Sequence, residues 1–164
     1  AGVRPSWLGD RSTYYVGLGL SILGSPSDLE RDVYGVEWRA CSAPETAVAG
    51  DELLALVRLA NTSESTWPNA GAARVRLGHR WLDGDGQVIS TGRRNDFDTP
   101  VAPNDEVSAW VRATVPARPG RYTLEISPLF ENVAWFADRG VAPCRSNLDI
   151  QPQSASGDGS SGTR

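Results

Sequence analysis

From Ala73 to Leu82 the sequence ARVRLGHRWL sets Val75, Leu77, His79 and Trp81 at every second position, with Arg74, Arg76, Gly78 and Arg80 between them. Successive side chains of a β-strand point to opposite faces, so a period of two buries one face and leaves the arginines on the other. The run passes into Asp83-Gly84-Asp85-Gly86, after which Gln87-Val88-Ile89 resumes an apolar pattern. DGDG has the alternating carboxylates of a calcium loop. Such a loop needs further oxygen ligands and a glutamate near its twelfth position, and the residue twelve on from Asp83 is Asn95. Asp-Gly between strand-forming runs is instead a hairpin signal, because glycine takes the positive φ of a tight turn at little cost. The stretch is therefore read as the tip of a β-hairpin.

Strand-like runs recur on either side at the spacing of a sandwich: Val33–Cys41, Glu52–Ala60, Glu106–Val115, Gly120–Ser127, and the short segments Val133–Phe136 and Asn147–Gln151. The expected fold is all-β, an Ig-like antiparallel β-sandwich over residues 34–151. Residues 1–33 are expected to be an irregular or short helical extension, the end of an upstream domain, and the polar tail 152–164 to be disordered. In the fifth of these strands Tyr122, Leu124 and Ile126 should point inward and Thr123, Glu125 and Ser127 outward. Beside the third strand, Glu125 would face the row Arg74, Arg76 and Arg80 as a ladder of charges in water. The run Glu52–Ala60 is apolar on both faces, and Trp110 points away from Val107, Ala109 and Val111. A sheet with one face in water should not look like this, so the N-terminal segment bearing Trp7, Tyr14, Tyr15, Leu18, Leu20 and Ile22 is expected to cover it.

At 164 residues, 40% hydrophobic and 22% charged, the chain suits one globular domain. Its net charge of −4 gives no bulk attraction to nucleic acid or anionic lipid. No membrane span is visible, since the apolar run Tyr14–Leu23 is too short and broken by glycines. All the basic residues are arginine, which reads as a GC-rich bacterial composition. The bacterial cytoplasm, in association with the envelope, is expected in preference to secretion. The missing start methionine indicates a fragment or a processed chain. Cys41 and Cys144 lie far apart and, with one histidine, make no metal-ligand spacing. Either they form a disulfide or they are two buried thiols.

Catalytic arrangements are thinly supported. His79, the only possible base of a nucleophile triad, falls on the inward face between Leu77 and Trp81. Asp83, Asp85, Asp96 and Asp98 lie in turn-like positions where aspartate serves the backbone, which argues against a glycosidase pair. Gly17, Gly19 and Gly24 do not complete a phosphate-binding loop, and no cofactor is implied. Asn61-Thr62-Ser63 matches a glycosylation sequon but reads as a turn. A binding surface is the function least excluded. Trp67, Trp110 and Trp135, with Arg93, Arg94, Asn95 and Phe97, supply the aromatic faces and planar polar groups that suit a saccharide, although most of the six tryptophans are expected in the core.

The run ARVRLGHRWLDGDGQVI, then Gly92-Arg93-Arg94, Thr99-Pro100-Val101-Ala102-Pro103, PARPGRYTLEI and ENVAWF followed by Asp138-Arg139-Gly140, resembles a bacterial Ig-like β-sandwich module. Such modules are appended to glycosyltransferases, methyltransferases and other cell-envelope polysaccharide proteins. They are similar in role to the O-antigen-binding sandwich that ends some polysaccharide ABC exporters. The likeness spans Val36 to Ile150. It implies a non-catalytic accessory module that binds a saccharide or positions an enzyme attached upstream in the same polypeptide, with Arg94 in the place of a common loop arginine. The loop departs from the pattern: Asn95 follows that arginine, and Asp96 and Asp98 stand where prolines are expected. Two other classes remain, a purely structural or protein–protein module and the C-terminal part of a glycan-active enzyme.

Overall fold

A computed structural model describes residues 33–154. The N-terminal extension and most of the polar tail therefore lie outside the described residues. Ten strands form among the described residues: β1 (Val36–Ser42), β2 (Thr46–Val48), β3 (Glu52–Asn61), β4 (Val75–Leu82), β5 (Val88–Thr91), β6 (Asn95–Asp96), β7 (Glu106–Thr114), β8 (Gly120–Phe130), β9 (Ala134–Trp135) and β10 (Cys144–Gln151). They make two sheets, a small one ordered β1-β3-β7 and a large one ordered β2-β10-β8-β4-β5, to which β6 adds on β4 and β9 on β8. Every pairing is antiparallel except β2 with β10. The architecture is the expected Ig-like sandwich.

Alternation sets what lies between the sheets. Leu53, Ala55, Val57 and Leu59 of β3 and Val111 and Ala113 of β7 face Val75, Leu77 and Trp81 of β4, with Leu124 and Ile126 of β8 beside them. One end is closed by aromatics: Trp67 stacks on Phe97 at 5.9 Å between ring centroids and meets the edge of Phe136 at 5.7 Å. Buried indoles need a partner for their N–H; Trp67 donates to the Val33 carbonyl at 2.9 Å and Trp81 to the Thr114 carbonyl at 2.9 Å. The second of these bonds ties the large sheet to β7.

The DGDG segment is a hairpin turn joining β4 to β5. Asp83 Oδ1 accepts from the backbone N–H groups of Asp85 and Gln87, at 3.0 and 2.9 Å, and Gly86 takes φ 77°. The aspartate thus serves the turn itself.

Two local devices hold the rest in place. Cys41 of β1 and Cys144 of β10 form a disulfide, Cα atoms 5.9 Å apart, that joins the two sheets. Asn61, with no exposed surface, ends β3. Its side-chain nitrogen donates to the carbonyls of Ser65 and Val101, both at 2.9 Å, and its oxygen accepts from the N–H and hydroxyl of Ser63, at 2.9 and 2.6 Å. Asn61 is thus the last residue of a strand, not itself a turn residue, and its amide is fully occupied in bracing the segment that follows.

One expectation about exposure is corrected. Glu125 and Ser127 do not stand in water: each is 1% exposed. The chain after β8 folds back over the outer face of the large sheet as β9 and a single 3₁₀ turn, Ala137–Arg139. The Ala137 N–H donates to the Ser127 hydroxyl at 3.2 Å.

Two stability outcomes follow. Reducing the disulfide, whose sequence separation is 103 residues, should lower unfolding free energy by roughly 4–5 kcal/mol, read as a shift of the urea midpoint with and without reductant. Asn61→Ala should cost about 1–3 kcal/mol in the same assay, because buried carbonyls and amides lose their partners, whereas Thr62→Ala should cost little.

Candidate functional site

The outer face of the large sheet is organised around one buried carboxylate. In the pairing of β4 with β8, Arg80 stands opposite Glu125, and in that of β10 with β8, Arg145 stands opposite the same residue. Glu125 Oε1 accepts from Arg80 Nε and Nη2 at 2.9 and 2.7 Å, and Oε2 from Arg145 Nε and Nη2 at 2.9 and 2.7 Å. Each oxygen accepts two charge-assisted N–H bonds from its own arginine, so the carboxylate is shared between two guanidinium groups. Arg80 also donates to Asp138 Oδ1 at 2.8 Å. Burial works against the charge of Arg80, but the hydrogen bonds and charges of Asp138 and Glu125 outweigh it, and its pKa is raised.

The same guanidinium lies over the ring of Trp135, its Cζ 4.7 Å from the centroid, a cation–π contact. Gly78, the small member of the β4 alternation, makes room for the indole: a Cβ there would come within 2.6 Å of Trp135 Cη2. Trp135 then forms one wall of a hollow of about 240 Å³ shared with Arg94, Leu129, Asn132 and Val133. Arg94 is held by an ion pair with Glu131, and Asn132 donates to the Ala72 carbonyl at 3.1 Å.

A second, larger hollow of about 530 Å³ opens at the other end of the sheet, where Arg121 and Thr123 of β8 stand beside Asn147 and Asp149 of β10, with Glu45 and Asp83 at the rim. Thr123 Oγ1 donates to Asn147 Oδ1 at 2.9 Å, so the hydroxyl and the amide are held side by side on neighbouring strands. The Arg80–Glu125–Arg145 cluster separates the two hollows along β8.

The residues proposed from sequence as one sugar platform are dispersed. Trp67 is wholly buried among Phe97 and Phe136 and offers no face to a ligand; Phe97 is buried as well. Arg94 and Trp135 do meet, in the smaller hollow. Trp110 is exposed but lies on the outer face of the small sheet, so it and Trp135 form no shared surface. Asn95 donates to the Trp110 carbonyl at 3.2 Å, and Arg93 is exposed in the loop before β6. The polar hollow was missed: its residues lie on four segments and carry no local motif.

His79 is buried. Its ring bonds the Arg93 backbone, Nδ1 has no hydrogen-bond partner among the described residues, and a Cβ on Gly92 would collide with the imidazole. Burial lowers its pKa below the ordinary 6.5, against the weaker opposing effect of the Arg93 bond. Two of the four carboxylates weighed for hydrolysis are committed elsewhere: Asp83 to its turn, and Asp96 to Arg74 and Arg76 at 3.1 and 2.9 Å.

The fold and this outer face define an Ig-like β-sandwich module. No protein-family model matches the chain, and no curated protein does. Among solved structures it is similar to a Niemann-Pick type C2 protein from Japanese carpenter ant, at 7% identity over 71% of this chain and 93% of that one, TM-score 0.51. It is also similar to a CARDB domain from Pyrococcus furiosus, at 12% identity over 71% and 92%, TM-score 0.44. A third likeness is to the C-terminal domain of wzt, at 12% identity over 74% and 75%, TM-score 0.47. At these identities the likeness concerns the fold alone. Among the described residues no helix is long and apolar enough to cross a membrane.

The lowered pKa of His79 has a signed consequence. The unfolded chain takes up a proton near pH 6.5 that the folded chain refuses, so stability is full above that pH and falls as pH drops through it toward the folded value. The urea midpoint should therefore be lower at pH 5.5 than at pH 7.5, and His79→Gln should remove the histidine's share of that difference.

Proposed function

We propose that this is a non-catalytic module that binds a saccharide chain along the outer face of its large sheet. In this reading it holds a bacterial cell-envelope polysaccharide or positions an enzyme attached to it. The observation that carries the reading is the placing of two hollows on one face, in line along β8. One offers an indole wall with an arginine beside it; the other offers guanidinium, amide, hydroxyl and carboxylate groups. Sugars present alternating C–H faces and hydroxyl edges, and such a pair of surfaces matches both. From Thr123 to Leu129 is six strand positions, roughly 20 Å, a length suited to an oligosaccharide rather than a single ring.

The non-catalytic reading is supported by the burial of His79 and by the commitment of Glu125, Asp83 and Asp96 to structural partners. The Cys41–Cys144 bridge suits an oxidising compartment, so we assign the module to the envelope side in preference to the cytoplasm.

Titration calorimetry with bacterial envelope polysaccharides tests this. We expect saturable binding, weakened roughly tenfold, about 1.4 kcal/mol, by Trp135→Ala or by Asn147→Ala, with circular dichroism unchanged. Absence of binding across such polysaccharides overturns the saccharide reading.

A further inference from the structure

The small sheet has an outer face that its own described residues leave bare. Along β3 the side chains of Glu52, Leu54, Leu56 and Arg58 point away from the core, and Trp110 of β7 lies opposite Leu56. Leu54 is 50% exposed and Trp110 61% exposed. On the far side of Leu56 the β1 partner is Ser42, a small residue that leaves the strip open. The charged groups around it neutralise one another: Arg112 pairs with Glu52 at 2.8 Å, and Glu106 with Arg39 at 2.8 Å and with Arg58 at 3.7 Å. What remains is a narrow apolar strip with no unmatched charge at its rim among the described residues, a surface that favours an uncharged, apolar occupant.

This chain carries a segment of that chemistry. Residues 12–27, STYYVGLGLSILGSPS, have no charged side chain between Arg11 and Asp28. Within them Tyr14, Val16, Leu18, Leu20 and Ile22 occupy alternate positions, and Gly17, Gly19 and Ser21 fall among the others. Extended, such a run has one large apolar side and one mostly small side, so it needs cover on one side only. The route is short enough. The described chain enters β1 at the end of the sheet where β3 finishes, with Val36 opposite Asn61. Leu56 lies five strand positions from Asn61, roughly 17 Å, and the nine residues 24–32 reach up to ~30 Å.

We infer that the outer face of the small sheet is the docking surface for residues 14–23 of this same chain, which seat their apolar side on Leu54, Leu56 and Trp110. The inference is independent of the saccharide reading, which concerns the opposite sheet. It accounts for a strand, β3, that is apolar on both faces.

Hydroxyl-radical footprinting of the full chain, read by mass spectrometry at Leu54 and Trp110, tests it. The comparison is the full chain with Leu18→Asp and Leu20→Asp, which keeps its length. We expect the oxidation of Leu54 and Trp110 to rise roughly threefold or more in the double variant, with Ile89 on β5 unchanged as an internal reference. In parallel, Trp110→Asp in the full chain, at an exposed position, should speed tryptic cleavage at Arg11 while leaving the thermal midpoint of the sandwich within a few degrees. Equal footprints in the two chains overturn the inference. So does protection of Trp110 that grows with protein concentration and survives the double substitution, which would assign the face to a second copy.

Discussion

The carboxylate of Glu125 is the point on which the large sheet turns. A carboxylate taken out of water is costly unless its lone pairs are filled and its charge is met, and here Arg80 and Arg145 do both from the strands on either side. The arrangement works in one register only, because a slip of one residue would turn every side chain of β4 or β10 to the other face. Once Arg80 is held this way, its guanidinium is available as a plate over Trp135 and as a partner for Asp138. The covering segment 131–141 thus rests on the same ion cluster that sets the sheet, and the indole wall of the smaller hollow is fixed indirectly by a residue it does not touch.

Much of this frame was legible in the sequence, because strand alternation is a local property. The inward set Val75, Leu77, His79 and Trp81, the hairpin at DGDG, and the pairing of Glu125 with the arginine strand all follow from period two and turn chemistry. The exposure of Glu125 and Ser127 was not legible. It depends on residues ten positions later folding back, and neither ENVAWF nor the strand announces that contact. The second reason is Gly78: as a gap in an alternation it looks merely neutral, yet it is the space that the indole fills.

The candidate site was legible only in part, for a similar reason. Trp67 and Trp135 have equal claims as platform residues when read as residue types. Their environments separate them: Trp67 has Phe97, Phe136 and the Val33 carbonyl around it, and Trp135 has the sheet on one side and a hollow on the other. Trp110 shares the residue type and lies across the sandwich. The polar hollow had no signal at all, since Glu45, Asp83, Arg121 and Asn147 come together through the pairing of β2, β10, β8 and β4 and not through any spacing along the chain.

The buried Asn61 reaches beyond the folded state. Asn-Thr-Ser is complete in the linear chain, whereas the folded protein spends both amide hydrogens on Ser65 and Val101. A sugar attached to that nitrogen would replace one of them and would place a bulky polar group where no surface exists. Modification and closure of the β3 turn exclude each other, and which comes first is a race between a host's glycosylating enzyme and the folding of the sandwich. Made in a host that glycosylates nascent chains, the protein would divide into an unmodified fraction that folds and a modified fraction that does not, so the choice of host becomes a determinant of yield.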